Sequence, residues 1–473
     1  MSETDDDYPE GWPGEVVLEG RTRANLPVTA TNRSAVERER HGRGPASREH
    51  RSVFHNPAMT ACRTRSVLLM AHVLKSGWLG PEDKPVRAID ALCASGIRAR
   101  RWLNELPAEL AARLEAHACD MDGKAIEWAE ANHAEFPPEH GQGSLDFHCE
   151  DARVLLARSG WQWIDIDPFG APTAFLDAAF QASARRAVME ITATDTAALT
   201  GSSRSACKRR YGAKIRCDGL AHDSGLRLLL ATCAKIAAMH DRSIEPMLSS
   251  WDSHHLRISF RTRRSIVGAN ALSEKLGWRV ANPTADELTA AVLSGLHPNG
   301  DAHPQPYCLL PLTYPVSRDD ERISGPLWVG PLYDADVLQA LNEDLAAELC
   351  APTIEVDAAL IEAAGASERE VKLSQRASKR AVRHLCEEAT VATSPTVLIV
   401  DDLHQYASLL GPPSPARLVE KLREAGCAAA IARYGNPSVR TDADWATIVT
   451  AAEAAESKPE SKPNSQGEST ADV

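Results

Sequence analysis

The sequence has no run approaching the ~18 consecutive apolar residues that a membrane-spanning helix requires, which excludes a helical membrane protein. Its eleven cysteines stand singly and none forms a C-x-x-C pair. That spacing predicts reduced thiols, with neither disulfides nor structural zinc. The acidic stretch Met1–Asp7 lacks the apolar core of a secretory signal. What is there is ordinary globular composition, 43% hydrophobic and 25% charged, over 473 residues, enough for two or three domains.

The net charge of −13 argues against a simple nucleic-acid coat protein, but the charges are segregated. Residues 21–66 hold ten basic and three acidic residues, and residues 185–264 hold fifteen and seven. A basic face meeting a polyanion gives this pattern, and so do solvated basic helices.

Residues 1–50 mix charge with Pro and Gly and read as a basic, partly disordered, extended arm. Residues 453–473 are low-complexity and read as a disordered tail. Between them, short apolar runs at 86–92, 145–148, 161–166 and 187–192, with a further one ending near Cys119, alternate with helical stretches at 67–75, 97–106, 124–133 and 173–184. Such alternation predicts an α/β doubly wound parallel sheet with its ligand at the carboxyl ends of the strands. A basic loop at 201–216, a long helix at 220–240 and an antiparallel hairpin (244–250 with 256–261) follow. A hairpin closing a parallel sheet is the pattern of class I methyltransferases, by fold-level analogy. From about residue 269 to 452 the pattern becomes a C-terminal α+β domain.

Three acids fall at successive strand ends: Asp90 before the Gly96 turn, Asp120, and Asp151. The segment Ala91–Gly96 does not supply the G-x-G-x-x-G of a dinucleotide site. Asp120 is placed for ribose hydroxyls and Asp151 for the adenine amine, which suits a nucleoside cofactor without a pyrophosphate, S-adenosylmethionine. One such acid alone would be an ordinary cap. Asp167-Pro168-Phe169-Gly170 closes the fourth strand. Its residue types suit an exocyclic nucleobase amine, with a carboxylate and a carbonyl to orient it and an aromatic to stack the base. An ordinary turn would use the same residues. In GSSRSACKRRYGAKIR (201–216), Lys208, Arg209, Arg210 and Lys214 can grip phosphates while Tyr211 stacks or packs. A solvated loop is the alternative, as it is for Arg261, Arg263 and Arg264. His254 and His255 read as structural, Cys93 as a buried turn residue and Cys207 as a loop thiol.

Several strings together resemble the tRNA (guanine-26, N2)-dimethyltransferases. They are VFHNPAM (53–59), DALCASGIRARR (90–101), DIDPFGAPTAFLDAA (165–179), TATDTAALTG (192–201), RRYGAKIR (209–216), the GLRLLL–DRSIEPMLS stretch (225–249), GPLWVGPLYD (325–334) and NPSVRTDADWATI (436–448). The resemblance implies a methyltransferase domain over 51–268 and a tRNA-binding domain over 269–452. It implies cofactor contacts from Arg63, Arg98, Asp120, Asp151 and Ala152, with Asp90 beside them. It also implies an amine site at Asp167, Pro168 and Phe169, and Phe54 as a second aromatic around guanine, with the basic arm folded over the cofactor pocket. Cys62 stands where the family more often has Asn, and His55 where Tyr is frequent. The cysteine pairs that many members use for zinc are missing from 265–330. The expected activity is methyl transfer from S-adenosylmethionine to a tRNA guanine N2, in the cytoplasm, with no obligatory protein partner and no membrane. The alternatives are a methyltransferase for another nucleobase and a silent RNA-binding module.

Overall fold

The computed structural model describes residues 8–28, 53–158, 160–252, 254–298, 304–354, 357–434 and 436–456. The chain begins with an antiparallel pair, β1 (Glu15–Glu19) and β2 (Thr22–Leu26), turned at Gly20-Arg21 with Gly20 at φ 60°. The extended arm expected over 1–50 is therefore a hairpin at 15–26. Its two-residue turn led by Gly is a standard hairpin signal, and its inward residues Ala24 and Leu26 are fully buried. Residues 1–7 and 29–50 of that arm lie outside the described residues.

Next come α1 (Thr60–Lys75), β3 (Val86–Asp90), α2 (Ile97–Glu105), β4 (Leu114–Asp120), α3 (Gly123–Glu135), β5 (Ser144–Cys149) and β6 (Trp161–Ile166). They lead to α4 (Thr173–Ala182), β7 (Ser183–Ala193), α5 (Arg204–Tyr211), α6 (Ala221–Met239), β8 (Arg242–Asp252) and β9 (His255–Arg264). The seven strands order as β5-β4-β3-β6-β7-β9-β8. The first five are mutually parallel, and β9 enters antiparallel between β7 and β8. This is the α/β sheet with terminal hairpin that the sequence predicts. The order reverses between β3 and β6, which opens the crevice where ligands of such sheets bind.

Three local expectations are corrected. Helix α1 begins at Thr60, seven residues before Val67, because its first turns bury Arg63, Thr64, Arg65 and Ser66 against partners and so show no apolar period. The basic loop contains the helix α5, ended by Gly212 at φ 65°. The last helix runs from Trp445 to Glu456, through the start of the expected tail, while 457–473 lie outside the described residues.

Beyond the large sheet, β10 (Leu276–Ala281) pairs antiparallel with β11 (Tyr307–Pro311) and β12 (Ile323–Trp328). A third sheet joins β13 (Thr396–Ile399), β14 (Ala429–Tyr434) and β15 (Asn436–Thr441). One apolar core runs from α1 and the large sheet into Leu327, Trp328 and Val397. Arg227 of α6 donates to the carbonyls of Trp328 (3.1 Å) and Gly330 (3.0 Å), tying the later sheets to the first.

Candidate active site

At the carboxyl ends of β3, β4 and β6 lies a cavity of about 470 Å³, within the range of small-molecule sites. Its floor is the strand-to-helix turn Cys93–Gly96. Ala94 sits at φ 46° and donates its N–H to Asp120 Oδ2 at 3.0 Å. Gly96 is at φ 68°, and a Cβ there would stand 2.9 Å from the Ala129 Cβ on α3, so only glycine fits. The Asp167–Gly170 turn is pinned to the end of β7, where Gly170 N–H donates to Thr194 Oγ1 (2.6 Å) and Thr194 N–H to the Gly170 carbonyl (3.0 Å).

A buried ionic chain lies under this turn. Arg98 donates to Asp167 Oδ2 at 2.5 Å and stands 3.4 Å from Asp165. Arg257 pairs with Asp165 and, at 2.9 Å, with Glu190, which also accepts from Ser66 and Ser259. Burial opposes charge on Asp167, but Arg98 and Arg257 outweigh it and hold the carboxyl below its usual range. Asp90, 1% exposed, goes the other way. Burial, with Asp165 and Asp167 nearby, pushes it up to about 7 against the pull of Arg98. Asp90, Asp120 and Asp167 line the cavity itself, an acidic wall that suits a ligand carrying positive charge.

The structure gathers most of the predicted site. Phe54, Arg63, Asp90, Arg98, Asp120, Asp167, Pro168 and Phe169 all line the cavity. Phe54 meets Phe169 edge-on, with centroids 4.7 Å apart, and Phe169 is 50% exposed. The side chain of Arg63 is bound by Glu19 of β1 (Nε–Oε1 2.6 Å, Nη2–Oε2 2.5 Å) and also reaches the Asn56 carbonyl. Cys62, in the place of the family's Asn, has its sulfur 3.6 Å from Arg98 Nη1.

Other expected residues lie away from the cavity wall. Asp151 and Ala152 do not line the cavity. Asp151 instead caps the helix Ala152–Leu156 and pairs with Arg153 at 2.5 Å, the ordinary role of an acid at a helix start. Tyr211 is only 3% exposed, packs in the core and donates its hydroxyl to Asp195 at 2.7 Å, so it presents no face to a nucleic acid. Lys208 and Arg209 are exposed on α5, whereas Arg210 pairs with Asp195 at 3.0 Å. Arg261, Arg263 and Arg264 pair with Asp334, Glu245 and Asp241. Cys207 is a buried helix residue rather than a loop thiol.

His254, read as structural, lines the cavity. Asn56 accepts the Ala58 N–H through Oδ1 (3.0 Å), which turns its Nδ2 toward His254 Nε2 (3.2 Å). The neutral ring, favoured by burial, therefore carries its proton on Nδ1. The sequence signal that could have found it was its position at the tip of a hairpin beside the crevice.

Sheet order, Gly-floored turn and strand-end acids together define a class I methyltransferase. Residues 32–453 match the family described as N2,N2-dimethylguanosine tRNA methyltransferase, and the chain belongs to that family. It is 28% identical to the tRNA (guanine(26)-N(2))-dimethyltransferase of Thermococcus kodakarensis, over 84% of this chain and 92% of that one. With the tRNA (guanine(26)-N(2)/guanine(27)-N(2))-dimethyltransferase of Aquifex aeolicus it shares 29% identity over 62% of this chain and 69% of the other. The fold resembles Trm1 from Pyrococcus horikoshii, solved with S-adenosyl-L-methionine, with a TM-score of 0.68 and 23% identity over 92% of this chain and 99% of that one.

Proposed function

We propose that this protein transfers one or two methyl groups from S-adenosylmethionine to the N2 amine of guanine 26 in tRNA. The observation that carries this reading is the ionised Asp167, fixed by Arg98 next to Pro168 and the Phe54–Phe169 pair in one cavity. The residues present fit the cofactor. The acid excess suits its sulfonium and ammonium, and Asp120 uses its two oxygens for only one backbone N–H each from Ala94 and Asp122 among the described contacts. In this reading Asp120 holds the ribose, Asp90 stands at the ammonium, and Arg63 and Arg98 stand at the carboxylate.

When bound, the cofactor supplies an electrophilic methyl carbon and a neutral thioether leaving group. Phe54 and Phe169 hold the guanine once it has left its stack. Asp167 and the Pro168 carbonyl accept the two N–H bonds of the exocyclic amine, which aims its lone pair at the methyl carbon. The N–C bond forms as the C–S bond breaks, and the amine proton leaves to solvent. Asp167, kept ionised, acts as an acceptor that orients rather than as a strong base. One methylation leaves one N–H for the same acceptor, so a second transfer needs no new site.

Residues 51–268 carry the transfer in this reading and 269–452 hold the RNA, with Lys208 and Arg209 at the junction. Among the described residues no helix is long and apolar enough to cross a membrane, which with a tRNA substrate supports action in the cytoplasm.

The test is nucleoside mass spectrometry on an unmodified tRNA transcript incubated with the protein and S-adenosylmethionine. N2-methylguanosine or its dimethyl form, absent from a transcript with adenine at position 26, supports the reading. Methylated adenine would overturn the target, and tRNA binding without methylation would favour a silent RNA-binding module.

A further inference from the structure

A long helix of the later part of the chain, α7 (Glu368–Val382), has no role in the site above. It starts at Ser367 in a capping box with Glu370 and is fastened along one side. Val371, Ser378, Ala381 and Val382 are buried there. Gln375 donates to the Pro352 carbonyl (2.8 Å), and Ser378 to that of Cys350 (3.2 Å).

The opposite side is a line of cations. At 100° per residue, Arg369, Lys372, Arg376, Lys379 and Arg380 fall within an arc of about 100°, and Arg383 continues the line past the last turn. All six are exposed. Residues 367–383 hold six basic and two acidic residues in a chain of net charge −13. Lys372 meets Glu368 at 3.6 Å and Arg383 meets Glu343 at 3.4 Å. Exposed pairs of that kind are weak and leave the stripe positive. From Arg369 to Arg383 it spans about 21 Å, enough to follow several successive phosphates of an RNA strand.

The stripe also has a fixed relation to the cavity. Arg65 of α1 donates to the Ala381 carbonyl at 3.0 Å and pairs with Asp252 at the end of β8. Two residues further on, His254 lines the cavity.

We propose that the exposed face of α7 is a track for the phosphate backbone of the tRNA, setting the register in which the target guanine reaches the cavity. The proposal rests on the functional reading above only in taking the substrate RNA as its occupant. Phosphate contacts of this kind position without reading sequence.

The experiment compares two full-length variants of equal charge. Lys372→Gln/Arg376→Gln/Lys379→Gln removes cations from the stripe. Lys75→Gln/Lys84→Gln/Arg185→Gln removes three exposed cations at the end of the sheet where its strands begin. Filter binding of a tRNA transcript over a salt series gives the slope of log Kd against log salt. The stripe variant should lose about 0.7–0.9 of slope per contact and on the order of 10²-fold in affinity near 0.1 M salt. Its KM for tRNA should rise in parallel, while kcat at saturating tRNA, S-adenosylmethionine affinity and Tm stay at wild-type values. The other variant should keep the wild-type slope.

Equal slopes for both variants and the wild type overturn the proposal. So does intact tRNA binding with lost sedimentation on phosphatidylserine vesicles, the result expected of a stripe that meets a lipid surface. Arg376→Gln alone should change the slope by about one contact, which guards against misfolding of the triple variant. If the wild-type protein methylates no tRNA, the functional reading falls, and the salt slopes still decide the stripe.

Discussion

At the end of the cavity proposed for the amine, Asp167 is already fixed by Arg98, Phe54 already meets Phe169, and Thr194 already pins the turn. At the nucleoside end, Asp120 is half-buried and its neighbour Met121 is 72% exposed. In the proposed reading the first is a preorganised acceptor for a weak nucleophile. The second is an open shelf that a ligand completes. Damage at the amine end should therefore appear in the rate of the chemical step, and damage at the shelf in affinity.

The sharpest break is Asp167→Asn, which keeps the shape and removes the anion. Its kcat for tRNA methylation should fall about 10²–10³-fold, the size of one lost preorganised acceptor or donor, with tRNA Kd unchanged by filter binding. A variant that methylates at the normal rate would remove Asp167 from the amine site.

Next, Asp120→Ala should weaken S-adenosylmethionine binding by about 10–100-fold, as expected from losing a charge-assisted hydrogen-bond acceptor, and leave kcat at saturation nearly intact. Isothermal titration calorimetry and single-turnover rates separate the two. A fall in kcat alone would mean that the two ends do not divide their work.

The smallest effect concerns Asp90. Its carboxyl is raised from 3.8 to about 7 in the folded chain, so the native state binds the extra proton between those values. The stability it contributes is complete below the lower value and is lost as pH rises through the upper one. Tm measured from pH 5 to 8 should fall more steeply for the wild type than for Asp90→Asn. Cofactor affinity should rise severalfold over the same window in the wild type and stay flat in the variant, because a bound cation favours the ionised carboxyl. Parallel curves would show that Asp90 does not titrate there.

The large sheet was legible because buried parallel strands are near-continuous apolar runs, and β6 came out at Trp161–Ile166 as expected. Asp90, Asp120 and Asp167–Phe169 were legible for the same reason, since each directly closes a strand. Phe54, Arg63 and Arg98 carry no periodicity that marks them, and only the family resemblance pointed to them. Asp151, expected at the adenine, caps a helix here, and a cap and a ligand-binding acid look alike in sequence. Tyr211 misled because its basic neighbours hid a helix with one buried side. The stripe on α7 shows only when Arg369, Lys372, Arg376, Lys379 and Arg380 are placed at 100° per residue on one side of the helix. His254 depends on a hydrogen bond to Asn56, nearly two hundred residues away, that no local pattern encodes.

Glu19 gives the hairpin at 15–26 a consequence for modularity. It is 4% exposed and is shared by Arg63 and Arg101, themselves buried in α1 and α2. Removing one partner of such a buried pair costs about 3–5 kcal/mol. A protein begun at residue 51 would retain every strand of the large sheet and every acid of the cavity. It would still lack a countercharge for Arg63, a wall residue of the same cavity. The part of the chain that completes the cavity therefore starts before residue 51, and swapping it between relatives requires carrying the hairpin along.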